Sequence, residues 1–177
     1  VGCNVPKDVI SVRVKEGLKK IEDRAFENCT SLRSITLPST LTEIGNSAFR
    51  GCINLKEVVF NEGLKEIGVK AFFNCESLQN IKLPSTVNEI GRGVFFGCCN
   101  LREVILNDGL QKIGDGAFGS CESLKSIKLP STVTEIGISA FYSCRNLRGV
   151  ILNDGLQKIG NGAFENCTSL ESITLPS

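Results

Sequence analysis

The stretch Leu124-Lys-Ser-Ile-Lys-Leu-Pro-Ser-Thr-Val-Thr-Glu-Ile-Gly-Ile-Ser-Ala-Phe-Tyr-Ser-Cys144 holds, once each, the signals from which the rest of the chain is built. Leu124, Ile127 and Leu129 follow the spacing Leu-x-x-Ile-x-Leu. That predicts a strand with one buried face, because alternate side chains leave a pleated backbone on opposite sides. Pro130-Ser-Thr132 is a loop, and Val133 to Gly137 reads as a second short extended segment. The piece Ala140 to Cys144 is too short for an independent helix and predicts a single helical or 3₁₀ turn on the far side of the coil. Its pattern, a small residue, Phe, two variable positions and Cys, recurs with cysteines at 29, 52, 75, 98, 121, 144 and 167, always 23 residues apart. So short a period, kept without insertion, describes one supersecondary turn stacked on copies of itself.

Aligned on their cysteines, the copies share a template. Leu lies at +3, Ile or Val at +6, and Leu or Phe at +8, as in Leu55, Val58 and Phe60. The loop that follows is alternately Pro-Ser-Thr and Asn-Glu/Asp-Gly, so the deeper period is 46 residues. Stacking is an energetic necessity. One coil offers about eight buried groups, the large ones worth roughly 1.5–3 kcal/mol each, against roughly 1–2 kcal/mol of backbone entropy for every residue ordered. Only neighbours above and below make that sum favourable.

This template resembles the leucine-rich repeats of the BspA-like type, also known from Treponema pallidum, over nearly the whole chain. Departures are few: Glu22 stands where other copies have Gly, Val94 replaces Ala, and the first copy is recognisable only as Val9, Val12 and Val14. The resemblance implies a leucine-rich repeat solenoid, α/β in broad class: a curved right-handed coil with a parallel sheet on its concave side. It also implies proteins displayed on cell surfaces or secreted, and used for attachment to host proteins or cells. We expect one domain over residues 1–177, with a partial coil at 1–31 and an incomplete one at 170–177, cut from a longer repeat protein. End-to-end self-association through the open last coil is a further expectation.

Composition narrows the functional classes. A net charge of +1 argues against a general nucleic-acid or other polyanion binder, and no stretch of 18 apolar residues is present for membrane insertion. The chain has no His and no Cys-x-x-Cys, so metal binding by its nine cysteines is a poor reading. Disulfides between stacked coils are geometrically conceivable, but the column has an odd number of members. Small buried hydrophobes filling a tight corner is the reading we favour, with Cys3 and Cys99, off the column, as the more exposed thiols or bonding partners. Gly114-Asp-Gly116-Ala-Phe-Gly119 fits a dinucleotide fingerprint, yet it lies inside the repeat template and its sister copies break the pattern. Without His, no nucleophile and base stand out, and we expect neither catalysis nor a cofactor. Asn28-Cys-Thr30 and Asn166-Cys-Thr168 match the glycosylation acceptor pattern, but both arise from the template.

A binding surface must then use the positions the fold leaves free. The +4 column includes Arg33, Lys56, Arg102, Lys125 and Arg148, and the +7 column includes Val59, Lys82, Ile105, Lys128 and Ile151. Exposed β-branched residues flanked by Lys, beside a basic rim, suit a protein with an acidic surface or an anionic glycan. The plainer alternative is a solvated sheet whose Val and Ile merely favour strand geometry. An intracellular scaffold and a purely structural solenoid are the competing functional classes.

Overall fold

The computed structural model describes residues 6 and 8–174, so Cys3 lies outside the described residues. Each coil contributes one three-residue and one two-residue strand. The three-residue strands are β1 (Ser11–Arg13), β3 (Ser34–Thr36), β5 (Glu57–Val59), β7 (Asn80–Lys82), β9 (Glu103–Ile105), β11 (Ser126–Lys128), β13 (Gly149–Ile151) and β15 (Ser172–Thr174). The two-residue strands are β2 (Lys20–Ile21), β4 (Glu43–Ile44), β6 (Glu66–Ile67), β8 (Glu89–Ile90), β10 (Lys112–Ile113), β12 (Glu135–Ile136) and β14 (Lys158–Ile159). All pairing is parallel and in identical phase, each residue facing its counterpart one coil on: Ile81 faces Val104, and Ile113 faces Ile136. The molecule is a parallel solenoid, as the 23-residue period requires.

Apolar columns merge into one core. In a central coil Leu101, Leu110, Ile113, Ala117, Phe118 and Cys121 are completely buried. From Phe26 to Phe164 the Phe rings stack nearly parallel, with centroids 5.1–5.6 Å apart. Paired strands lie about 4.7–4.9 Å apart. The Phe rings are thus spaced a little more widely than paired strands, consistent with a coil whose Phe side is the outer one.

One expectation needs correction. The Ala-Phe-x-x-Cys segments contain no helical turn; no described residue is helical. An α-helix would need successive N–H groups to bond within the segment. Here alternate ones leave it: the N–H groups of Gly116, Phe118 and Ser120 donate to carbonyls of Ile138, Ala140 and Tyr142 in the next coil, at 2.9, 2.8 and 2.6 Å. Those of Ala117, Gly119 and Cys121 close turns three residues back, on Gly114, Gly116 and Phe118. Such consecutive turns need a left-handed residue just before each Cys. That column is Asn28, Gly51, Asn74, Gly97, Ser120, Ser143 and Asn166, all at positive φ, where Gly and Asn are tolerated best.

Neither ribbon is continuous. The three-residue strands form a five-stranded sheet ending at β9 and a three-stranded one starting at β11, while the two-residue strands divide between β6 and β8. The divisions fall at different coils. Turn bonds and the Phe stack cross both.

The 46-residue period has a hydrogen-bonding cause. Asn107 donates through Nδ2 to the Pro84 and Val87 carbonyls of the loop below, at 2.7 and 2.9 Å, while its Oδ1 accepts the Gly109 N–H at 2.7 Å. Asn153 repeats all three bonds. In the other direction, Ser85 donates both its N–H and its hydroxyl to Glu62, at 2.9 Å. These bonds hold the Glu62 carboxyl below its ordinary value. Each loop type thus bonds to the other, above and below. The Gly after the second strand has a different cause: a Cβ at Gly137 would lie 2.5 Å from the Asp115 backbone nitrogen one coil earlier. Glu22 escapes the requirement because β2 is the edge of its sheet.

Candidate binding surface

Along the three-residue strands β1 to β13 the middle side chain points into the core and its neighbours point out. Val59, Ile105 and Ile151 are 68%, 47% and 51% exposed, unusually high for β-branched apolar side chains. Lys82 and Lys128, between them in the same column, are also exposed. The basic column Arg33, Lys56, Arg102, Lys125 and Arg148 is exposed at the rim just before each strand. Its backbone is tied in: the Arg102 N–H donates to the Gln79 carbonyl, and the Arg148 N–H to that of Lys125, both at 2.8 Å. All ten side chains expected at a binding surface are therefore solvent-facing. Val59, Lys82 and Ile105 share a shallow hollow of about 360 Å³ with Glu57, Glu62 and Glu103. Lys128 and Ile151 line a second, of about 340 Å³, beyond the break between β9 and β11.

No ion pair among the described residues involves any of these seven cations. Lys82 lies near enough to Glu62 to favour its carboxylate. The two-residue strands are arranged otherwise. Lys20 meets Glu43 at 2.6 Å, Lys158 meets Glu135 at 2.8 Å, and Lys112 lies 3.8 Å from both Glu89 and Glu135.

Sequence reading missed an aromatic pair on the turn side. Phe73 and Phe96 stack at 5.1 Å, with Arg50 and Lys70 within 5.5 Å of the Phe73 ring centroid. The signal was present in the variable column two residues before each Cys, which reads Glu27, Arg50, Phe73, Phe96, Gly119, Tyr142 and Glu165. The pair joins the two coils whose short strands, β6 and β8, part.

Six thiols do more than fill space. Cys52, Cys75, Cys98, Cys121, Cys144 and Cys167 each donate to the carbonyl of the Phe 26 residues earlier, at 3.0–3.3 Å. Burial pushes Cys52 up to about 12, and raises Cys75, Cys98 and Cys121 strongly. Cys99 is half-exposed, as expected off the column, and no disulfide joins the described cysteines. Among the described residues no cluster of three or more His, Cys, Asp or Glu could hold a metal ion, and no helix is long and apolar enough to cross a membrane.

Identically phased short coils with a leucine-bearing parallel strand define a leucine-rich repeat solenoid. The chain belongs to the BspA-type leucine-rich repeat family, whose six-copy model matches residues 5–111 and 89–177. It is similar to the T. pallidum Leucine Rich Repeat protein, with 34% identity and a TM-score of 0.85 over 92% of this chain and 78% of that one. A leucine-rich repeat protein from Eubacterium ventriosum shows 25% identity and a TM-score of 0.85, covering 96% of this chain but 45% of its own. One from Bacteroides ovatus shows 26% and 0.61, covering 96% of this chain and 56% of its own. No curated protein sequence matches the chain. Leucine-rich repeat proteins are generally protein-interaction modules and typically non-catalytic.

Proposed function

We propose that the chain is a non-catalytic adhesion or recognition module that binds an acidic protein or glycan at a cell surface through the face of its three-residue strands. The observation that carries this reading is the set of seven exposed cations on that face, none in an ion pair among the described residues, interleaved with exposed Val59, Ile105 and Ile151. Unpaired charge beside apolar surface is what a complementary ligand needs, the charge steering the encounter and the apolar area holding the complex. A cell-surface setting follows the family resemblance, and a structural neighbour from Faecalibacterium prausnitzii is described as a leucine rich cell surface protein. The test is capture of extracellular-matrix proteins and glycans by the folded chain and by the double variant Ile105→Ala, Lys128→Ala. Capture should fall at least tenfold; unchanged capture would place binding on another face.

A further inference from the structure

We infer that the ligand of this face is a linear acidic polysaccharide lying along the coil axis, with one anionic sugar for every two. This rests on the binding role just proposed for the face and narrows its ligand. Over the +4, +5 and +7 positions of the eight three-residue strands, the face carries eight basic residues and three acidic ones, in a chain whose totals are 20 and 19. The basic excess is therefore local, which the net charge of +1 conceals.

That charge also alternates. The strands ending in Val59 and Ile105 begin with Glu57 and Glu103; those ending in Lys82 and Lys128 begin with Asn80 and Ser126. Register puts Lys82 beside Ile105, and Lys128 beside Ile151. From β5 to β11, strands bearing Glu thus alternate with strands bearing Lys, and Lys128 lies two coils from Lys82, about 10 Å at the roughly 4.8 Å spacing of paired strands and somewhat more across the opening between β9 and β11. Two pyranose rings of an extended chain span a comparable length. A carboxylate on alternate sugars would meet Lys82 and Lys128, while hydroxyls of the neutral sugars would donate to Glu57 and Glu103 and their ring C–H faces would lie on Val59, Ile105 and Ile151. A polymer charged at every unit would also set anions against Glu57 and Glu103. A globular partner fits less well: the face has no Trp, Tyr or Met, the hollows are shallow, and such partners anchor through bulky side chains in deep pockets.

The experiment measures binding of the folded chain to hyaluronan oligosaccharides, with one carboxylate per disaccharide, and to polyglutamate and polygalacturonate of equal length, charged at every unit. Hyaluronan should bind most tightly and weaken as salt rises. Lys82→Ala and Lys128→Ala should each cost about tenfold, the worth of one hydrogen bond to a charged group. Lys112→Ala, on the other sheet, should leave affinity unchanged, and melting of each variant verifies the fold. Equal or tighter binding of polyglutamate or polygalacturonate overturns the inference. If hyaluronan fails while matrix-protein capture still depends on Ile105 and Lys128, the glycan assignment falls and the binding face stands. If neither ligand responds to these residues, both fall.

Discussion

On the short strands Lys112 lies between Glu89 and Glu135, and Lys158 closes on Glu135; on the long strands of the same coils Lys125 and Lys128 make no ion pair among the described residues. One backbone, repeated at one pitch, thus presents two surfaces of opposite habit. Exposed ion pairs contribute only about 0–1 kcal/mol each, so stability does not explain the difference. The pairs neutralise one face, and under the binding role proposed above the other keeps its charge for a ligand.

Five measurements would break or sharpen that contrast. The first sets its baseline. Phe118→Ala removes a ring from the stack that supports both sheets and should cost about 3–5 kcal/mol in denaturant unfolding. An unchanged midpoint would mean the Phe column is not the shared support. Alkali should act on both faces together through the thiols. A thiol that holds its proton harder when folded contributes stability that is intact below the ordinary value of 9.0 and is lost as pH climbs through about 12 for Cys52. Unfolding should therefore steepen above about pH 9, and Cys52→Ala should flatten that slope. A pH-independent midpoint up to pH 11 would contradict it.

The remaining three separate the faces. Gly137→Ala pushes a Cβ into the preceding coil on the short-strand side and should cost about 1–3 kcal/mol. Gly91→Ala, whose Cβ would meet its nearest neighbour at 3.6 Å, should cost far less; equal losses would show that the opening between β6 and β8 is not a real relaxation. Lys112→Ala, which breaks two ion pairs, should lower stability by less than about 1 kcal/mol. Lys128→Ala should stay within about 0.5 kcal/mol, as for surface residues without structural partners. A larger loss at Lys128 would make it structural and undo the distinction between the two faces.

Much of this was legible in the sequence because translation by 23 residues turns a column in an alignment into a column in space. The strands, the buried Leu, Phe and Cys rows, and the outward course of Arg33, Lys56, Lys82 and Arg102 all follow from that. The turns did not, because a short segment reads locally as one helical turn, and only knowledge of the next coil reveals where its alternate N–H groups go. The hint was there in Asn28, Gly51, Asn74 and Gly97, residues that accept the left-handed conformation. The thiol bonds were missed for a similar reason: Sγ–H reaches a carbonyl in the preceding coil, so Cys seemed a mere filler. The breaks in the ribbons leave no mark in a template that every copy shares.

The interlocked loops also limit how such an array can change length. Removing residues 61–83 would set Pro84-Ser85-Thr86 directly on Pro38-Ser39-Thr40, leaving the Pro38 carbonyl without the amide that now reaches it from Asn61. Removing 61–106 would bring Asn107 over Pro38 and restore the match. Shortening or lengthening by pairs of coils preserves the seams, so the structural unit of this molecule is the doublet rather than the single turn.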